Sequence, residues 1–241
     1  MAIFDAHFHV IDPRFPLVAN HGYLPEPFTV SDYRERVAEL AVTGGAVVSG
    51  SFQAYDQTYL LDALQQLGEG FVGVANVPGD ISDHEVLALY AGGVRAYRVN
   101  LFRGGDLEQV ALAERFGELV GWHLEVYLDG RDLPELAPRL QAVPRLVIDH
   151  LGMANLDAVK RMVDSGAFVK ASGFGRVEHD DVPAALRALA DINPAALLFG
   201  SDLPSTRARR AFQDDDLQLV RDIAGPRALY ANAAAVYLGL N

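Results

Sequence analysis

Short apolar runs alternate with longer amphipathic segments along the whole chain. The runs are Ala2–His9, Ala46–Gln53, Phe71–Val77, Val94–Leu101, His123–Leu128, Leu146–His150, Phe168–Ser172 and Leu197–Ser201. Several are apolar at consecutive positions, the pattern of strands buried on both faces of a parallel sheet. Between them lie segments with apolar residues at helical spacing: Val30–Val42, Asp56–Leu67, Ser82–Tyr90, Asp106–Val120, Leu133–Gln141, Asn155–Asp164, Val182–Asp191 and Phe212–Ile223. The first of these has Thr29 or Ser31 as a cap and Val37, Leu40 and Ala41 on its apolar face. Pro226–Leu238 reads as one extra helix. Unbroken strand–helix alternation implies parallel strands with right-handed crossovers, and eight units in this length predict an α/β chain folded as a single (β/α)8 TIM barrel. A doubly wound open sheet shares the local pattern. It would be expected to carry a glycine fingerprint after the first strand, where this chain has His-Phe-His-Val-Ile-Asp-Pro. Neither a linker nor a low-complexity tract interrupts the alternation, so one domain is expected over residues 1–241.

Composition narrows the class of protein. The 241 residues are 50% hydrophobic and 22% charged, which is enough apolar material for a large core. The formal charge is −12. That balance argues against nucleic acid or an anionic membrane as the main partner, since both call for a basic footprint. With no cysteine there is no disulfide, thiolate metal ligand or cysteine nucleophile. The opening residues lack a basic segment, and no apolar run approaches the roughly 18 residues of a membrane span. A cytoplasmic location is therefore expected; oligomeric state is not written in any motif.

In a barrel of this type the chemistry lies at the C-terminal ends of the strands. The first strand ends in His7-Phe8-His9, two imidazoles expected on one face with Asp5 beneath them. The sixth ends in Asp149-His150 and the eighth in Ser201-Asp202. A lone HxH is weak evidence, because a buried histidine is more often simply hydrogen-bonded. Three histidines and an aspartate converging from three distant strand ends are more specific, and can bind a metal or flank a substrate. Arg98 shares strand parity with Val94, Ala96 and Asn100, so it is expected to face inward, where a guanidinium must be paired and its fork suits a carboxylate. Most of the other arginines, such as Arg34, Arg36, Arg115 and Arg187, read as solvated helix charges. Arg207, Arg209 and Arg210 are left between two readings, as an anion site or as partners of Asp214, Asp215 and Asp216. Lys170 is expected to neutralise Asp5 or Asp149 inside the barrel.

The segments FDAHFHVID, GVRAYRVNLF, LVIDHLG, VKASGFGR and LLFGSDLP, with a closing helix containing Tyr-Ala-Asn-Ala-Ala, resemble the amidohydrolase superfamily. The likeness runs from Phe4 to the C-terminus. It is strongest to the amidohydrolase-related branch, which includes 2-pyrone-4,6-dicarboxylate hydrolases and sugar-acid and muconate lactonases. The resemblance implies hydrolysis by an activated water. It implies that His7, His9, His150 and Asp202 stand at the metal-ligand positions, that Asp202 is the general base, and that His150 shares in catalysis. It also implies that Arg98, Arg103 and Arg176 hold substrate carboxylates, and a looser alignment adds Tyr23 and Ser51 as substrate contacts.

Two departures matter. The fourth strand ends in Val99-Asn100-Leu101, without the lysine that bridges two metals in many relatives, so a lysine-bridged dinuclear site is excluded. The fifth strand lacks a histidine at its C-terminal end; His123 opens it and reads as structural. One divalent metal, zinc or manganese, or none at all, remains open. The expected activity is the opening of a small carboxylated lactone, with a small anion as the substrate. Metal-dependent decarboxylation of an aromatic or unsaturated acid, and non-catalytic binding of a small anion, are the alternatives.

Overall fold

The computed structural model describes residues 2–240. Its strands are β1 (Ile3–Phe8), β2 (Val42–Val48), β3 (Phe71–Ala75), β4 (Val94–Asn100), β5 (His123–Tyr127), β6 (Leu146–Ile148), β7 (Phe168–Ala171) and β8 (Leu197–Phe199). They lie in sequence order in one sheet, each parallel to the next. Just beyond β8 the chain returns to β1. The Asp202 backbone N–H donates to the His7 carbonyl and the His9 N–H donates to the Leu203 carbonyl, both at 2.7 Å. A parallel bridge between Phe8 and Leu203 sits beside them, so the sheet closes into the expected barrel.

The outer ring is α1 (Val30–Arg36), α2 (Thr58–Leu67), α3 (Asp83–Ala91), α4 (Leu112–Val120), α5 (Leu133–Leu140), α6 (Leu156–Asp164), α7 (Val182–Ile192) and α8 (Asp214–Ala224). Thr29 caps α1 and Ser82 caps α3 through reciprocal capping boxes with Asp32 and Glu85. Three expected helices differ. The first stops at Arg36 rather than Val42, because Val42 pairs with Ile3 and opens β2, where its branched side chain is better accommodated. The segment before α4 is a tighter 3-10 turn, Leu107–Ala111. The extra helix is broken at Tyr230 (φ −148°, ψ −63°) into α9 (Pro226–Leu229) and α10 (Ala231–Leu238). No helix among the described residues is long and apolar enough to cross a membrane.

Strand alternation sorts the core into two layers. Ile3, Phe8, Val47, Tyr97, Leu124, Val126, Ile148 and Leu197 pack outward against the helices. Phe4, Ala6, Ala46, Val48, Val72, Val74, Ala96, Val147 and Leu198 fill the interior. α10 closes the N-terminal end by adding Ala233, Val236 and Tyr237 to that inner cluster. Phe4 stacks on the Tyr237 ring at 5.4 Å.

Above this apolar plug the interior becomes ionic. Glu125 accepts from the Tyr237 hydroxyl and from the Lys170 ammonium, and lies 3.4 Å from His123 Nε2. Lys170 also reaches Asp149 Oδ1 at 3.2 Å and His7 Nδ1 at 3.1 Å. Lys170 therefore neutralises Asp149, as expected, together with Glu125, and His123 belongs to this lower layer. Asp5 is not its partner. An irregularity in β1 between Asp5 and Phe8 breaks the alternation and turns Asp5 into the wall. There it accepts from the Ser201 N–H (2.8 Å), the Ser201 hydroxyl (2.6 Å) and the Tyr33 hydroxyl (3.1 Å).

Candidate active site

His7 and His9 still share a face, with Phe8 between them packed outward, and both rings turn towards Asp202. At the ends of β6 and β8 the backbone turns through left-handed conformations, φ 50° at His150 and φ 61° at Asp202. Such geometry is uncommon outside glycine and here aims both side chains across the barrel axis. Two glycines make room: a Cβ on Gly200 would lie 2.8 Å from His7 Cβ, and one on Gly173 would lie 2.6 Å from His150 Nδ1.

The four residues meet at one oxygen. Asp202 Oδ1 lies 3.8 Å from His7 Nε2, 4.0 Å from His9 Nε2 and 3.8 Å from His150 Nε2. All four side chains are buried. Burial pushes each imidazole below its ordinary value, His9 to about 3 with help from Arg98, and His7 and His150 well below the usual range. The three rings are neutral at pH 7. Burial also lifts Asp202 to about 6, against the pull of Arg176. For Asp149 burial acts in the same direction, but Lys170 and Arg98 outweigh it and hold that carboxyl well below the usual range.

Second partners set the tautomers. His9 Nδ1 donates to the Val48 carbonyl at 2.7 Å, which leaves Nε2 with a free lone pair. His150 Nδ1 lies 2.9 Å from the Ser172 hydroxyl, which can donate to it or accept from it. His7 Nδ1 has both the Lys170 ammonium and, at 3.3 Å, Asp149 Oδ1 within reach.

The donor set suits a metal ion. Ligand atoms of His7, His9 and Asp202 lie within 4.8 Å of one another. His7 Nε2 and Asp202 Oδ1 are buried with no hydrogen-bond partner, and a cation between them would satisfy both. Neutral imidazole and carboxylate ligands are the chemistry that zinc or manganese accepts.

Four guanidiniums surround the cavity, those of Arg98, Arg103, Arg176 and Arg207, and Ser51 and Tyr127 also line it. Arg98 faces inward as its parity predicts. Its Nε and Nη2 lie on Asp149 Oδ2, both at 2.8 Å, and its Nη1 donates to the Ser49 carbonyl at 3.2 Å. Arg176 holds Asp202 Oδ2 through Nε at 2.8 Å and Nη2 at 2.6 Å. Tyr23 stands behind the wall, its ring 4.4 Å beneath the Arg207 guanidinium. Tyr127 escaped the sequence reading, although it shares β5 parity with Glu125. Its ring meets His150 edge-on at 5.2 Å and carries the Arg98 guanidinium at 5.1 Å.

The amidohydrolase family model matches residues 4–238. A 2-pyrone-4,6-dicarboxylate hydrolase from Comamonas testosteroni is 30% identical over 250 residues, covering 88% of this chain and 80% of the relative. A 4-sulfomuconolactone hydrolase from Hydrogenophaga intermedia is 26% identical, with 91% of this chain and 82% of the relative covered. A crystal structure of a protein from Agrobacterium tumefaciens superposes with a TM-score of 0.87 at 23% identity, covering 98% of this chain and 95% of the other. The fold, the convergence of histidines and aspartate, and these matches lead to one conclusion: the chain belongs to the amidohydrolase family.

Proposed function

We propose that this protein is a hydrolase that opens a small carboxylated lactone. The observation that carries the reading is a buried carboxylate within 4.0 Å of three neutral imidazoles, two of which, those of His9 and His150, line a cavity ringed by guanidiniums. The hydrolase assignment is supported by the two curated relatives, both lactone hydrolases.

Asp202, ionised, takes a proton from water as the water oxygen attacks the lactone carbonyl carbon. His9 presents a bare Nε2 and accepts a hydrogen bond that orients the water. His150, with Ser172 donating to Nδ1, carries its proton on Nε2 and directs it at the carbonyl oxygen, where negative charge develops. As the ring C–O bond breaks, the departing oxygen takes the proton back from Asp202. Arg98, Arg103 and Arg176, assisted by Ser51, hold substrate carboxylate and keep the carbonyl at attack distance, and Tyr23 supports that wall from behind through the Arg207 guanidinium. His7, His9 and Asp202, with His150 beside them, would hold a zinc or manganese ion, His7 adopting the ligating tautomer by turning Nδ1–H to Asp149. Such an ion, when bound, polarises the carbonyl and lowers the pKa of the attacking water.

The test is hydrolysis of a panel of carboxylated lactones by the wild type and by Asp202→Asn. Loss of turnover by about 10²–10⁴-fold with substrate binding retained supports the reading. A variant that turns over at the wild-type rate removes Asp202 from the reaction.

A further inference from the structure

The four guanidiniums around the cavity are not equivalent. Arg98 is neutralised by Asp149 and Arg176 by Asp202, in each case through two nitrogens. Each also donates to a backbone carbonyl. Arg207 is held by neutral groups alone. It donates to the Asn20 carbonyl in the loop after β1, and its guanidinium lies over the Tyr23 ring at 4.4 Å. Arg103, in the loop after β4, rests over the Phe102 ring at 5.0 Å and has no carboxylate within ion-pair distance among the described residues.

The cluster 207–210 resolves in the same way. Arg210 is exposed and forms a two-nitrogen pair with Asp216, at 2.7 Å for both bonds. Arg209 is exposed and donates to the Arg176 and Val177 carbonyls. Arg207 alone of the three turns into the cavity and is half-buried. The residue before it, Thr206, accepts from Arg176 Nη2 at 2.9 Å, so the loop that carries Arg207 is tied to the guanidinium that grips Asp202.

From this arrangement we infer that Arg207 is a specificity-determining residue. With Arg103 on the facing loop it forms a clasp at the mouth for an anionic group remote from the scissile carbonyl, and so selects doubly anionic substrates over singly anionic ones. Two carboxylates already answer two of the four guanidiniums, which leaves two positive charges for the ligand to match. Pinning Arg207 with a carbonyl and a π face fixes its direction without spending its charge, so the ordering cost of the ion pair is met before the anion arrives. Burial, followed by the neighbouring charge of Arg103, already lowers the basicity of Arg207, and a bound anion would relieve this. The chain as a whole carries a charge of −12, so a local excess of positive charge at the mouth is needed to draw an anion in.

This inference rests on the lactonase reading for its substrates but is separable from it by experiment. Wild type, Arg207→Gln and Arg207→Lys are compared on 2-pyrone-4,6-dicarboxylate and on its two monocarboxylate counterparts. A charged hydrogen bond of this kind is worth about 10- to 100-fold in affinity. Arg207→Gln is therefore expected to cut the kcat/KM preference for the dianion over one of the two monoacids by about tenfold or more, mainly through KM, and Arg207→Lys to restore part of it. Were Arg207 only a tether for the loop, all three substrates would decline together and the preference would stay constant, which overturns the inference. If the wild type opens none of the three, the lactonase reading fails, and calorimetric titration with 2-pyrone-4,6-dicarboxylate still decides the clasp. Binding about tenfold weaker in Arg207→Gln supports it; equal affinity overturns it.

Discussion

Replacing Lys170 by Met tests whether the barrel interior is held by charge. The ammonium is fully buried between Glu125, Asp149 and His7 Nδ1. Methionine keeps most of the volume and removes the cation. Asp149 retains Arg98, but Glu125 is left with only the Tyr237 hydroxyl and His123. In the wild type, burial raises Glu125, yet Lys170 and His123 together hold it below its ordinary 4.5. Without Lys170 the least costly response is protonation, which for such a carboxyl requires about 3 kcal/mol at pH 7, at about 1.36 kcal/mol per pH unit. Direct measurements on broken buried pairs give about 3–5 kcal/mol, in agreement. The sign follows. A depressed carboxyl contributes stability at neutral pH that is lost on acidification, so the gap between wild type and variant is widest at pH 7 and narrows towards pH 4.5. Urea unfolding followed by the fluorescence of Trp122, the only tryptophan, buried and donating to the Val94 carbonyl, reads this directly. The expected fall in melting temperature is about 6–20 °C for a chain of this size. Lys170→Met with Glu125→Gln removes the stranded charge and should regain most of the loss. A single variant within about 1 kcal/mol of wild type at pH 7, or a gap that does not narrow in acid, would refute the reasoning.

Two further outcomes concern the upper layer. Burial lifts Asp202 to about 6, so if it serves ionised, as proposed, kcat/KM of the metal-stripped protein should fall below about pH 6. Arg176→Met should raise that midpoint by about one unit or more, since the guanidinium is the nearest charge favouring ionisation; an unmoved midpoint contradicts this. Elemental analysis of protein purified without chelator should show about one zinc or manganese per chain in the wild type and little in His7→Gln. Equal loading of both would remove His7 from the ligand set.

The barrel was legible in the sequence because short continuous apolar runs alternate eight times with longer amphipathic segments, and because several runs end in the polar residues that form the mouth. Boundaries were less so. Nothing local ends α1 at Arg36; the pairing of Val42 with Ile3, across the length of α1, decides it. Among the site residues, His7, His9, His150 and Asp202 converge as their strand ends implied. Asp5 departs because a β irregularity has no sequence signature. Glu125 and Tyr127 are legible only through strand parity, which places both inside; neither belongs to a motif that marks it as chemical. What the sequence could not disclose was which carboxylate each arginine would take. Arg98 and Arg176 lie 51 and 26 residues from their partners. Arg207, on neutral supports, is distinguished from Arg210 only by the direction in which the loop turns.

The inward reach of α10 bears on how the chain is made. Tyr237 follows Glu125 by 112 residues and Ala6 by 231, yet its hydroxyl donates to Glu125 and lies 3.4 Å from the Ala6 carbonyl, groups synthesised long before it. β1 likewise waits for residues 202 and 203 to close the ring. While the nascent chain emerges from the ribosome, the half-built barrel therefore holds ionised groups and apolar interior residues without their final cover. Early strands can pair as they appear, but the bottom stays unsealed until α10 has emerged. Completion is thus a late event, and the interval before it is when this protein would draw most on chaperones.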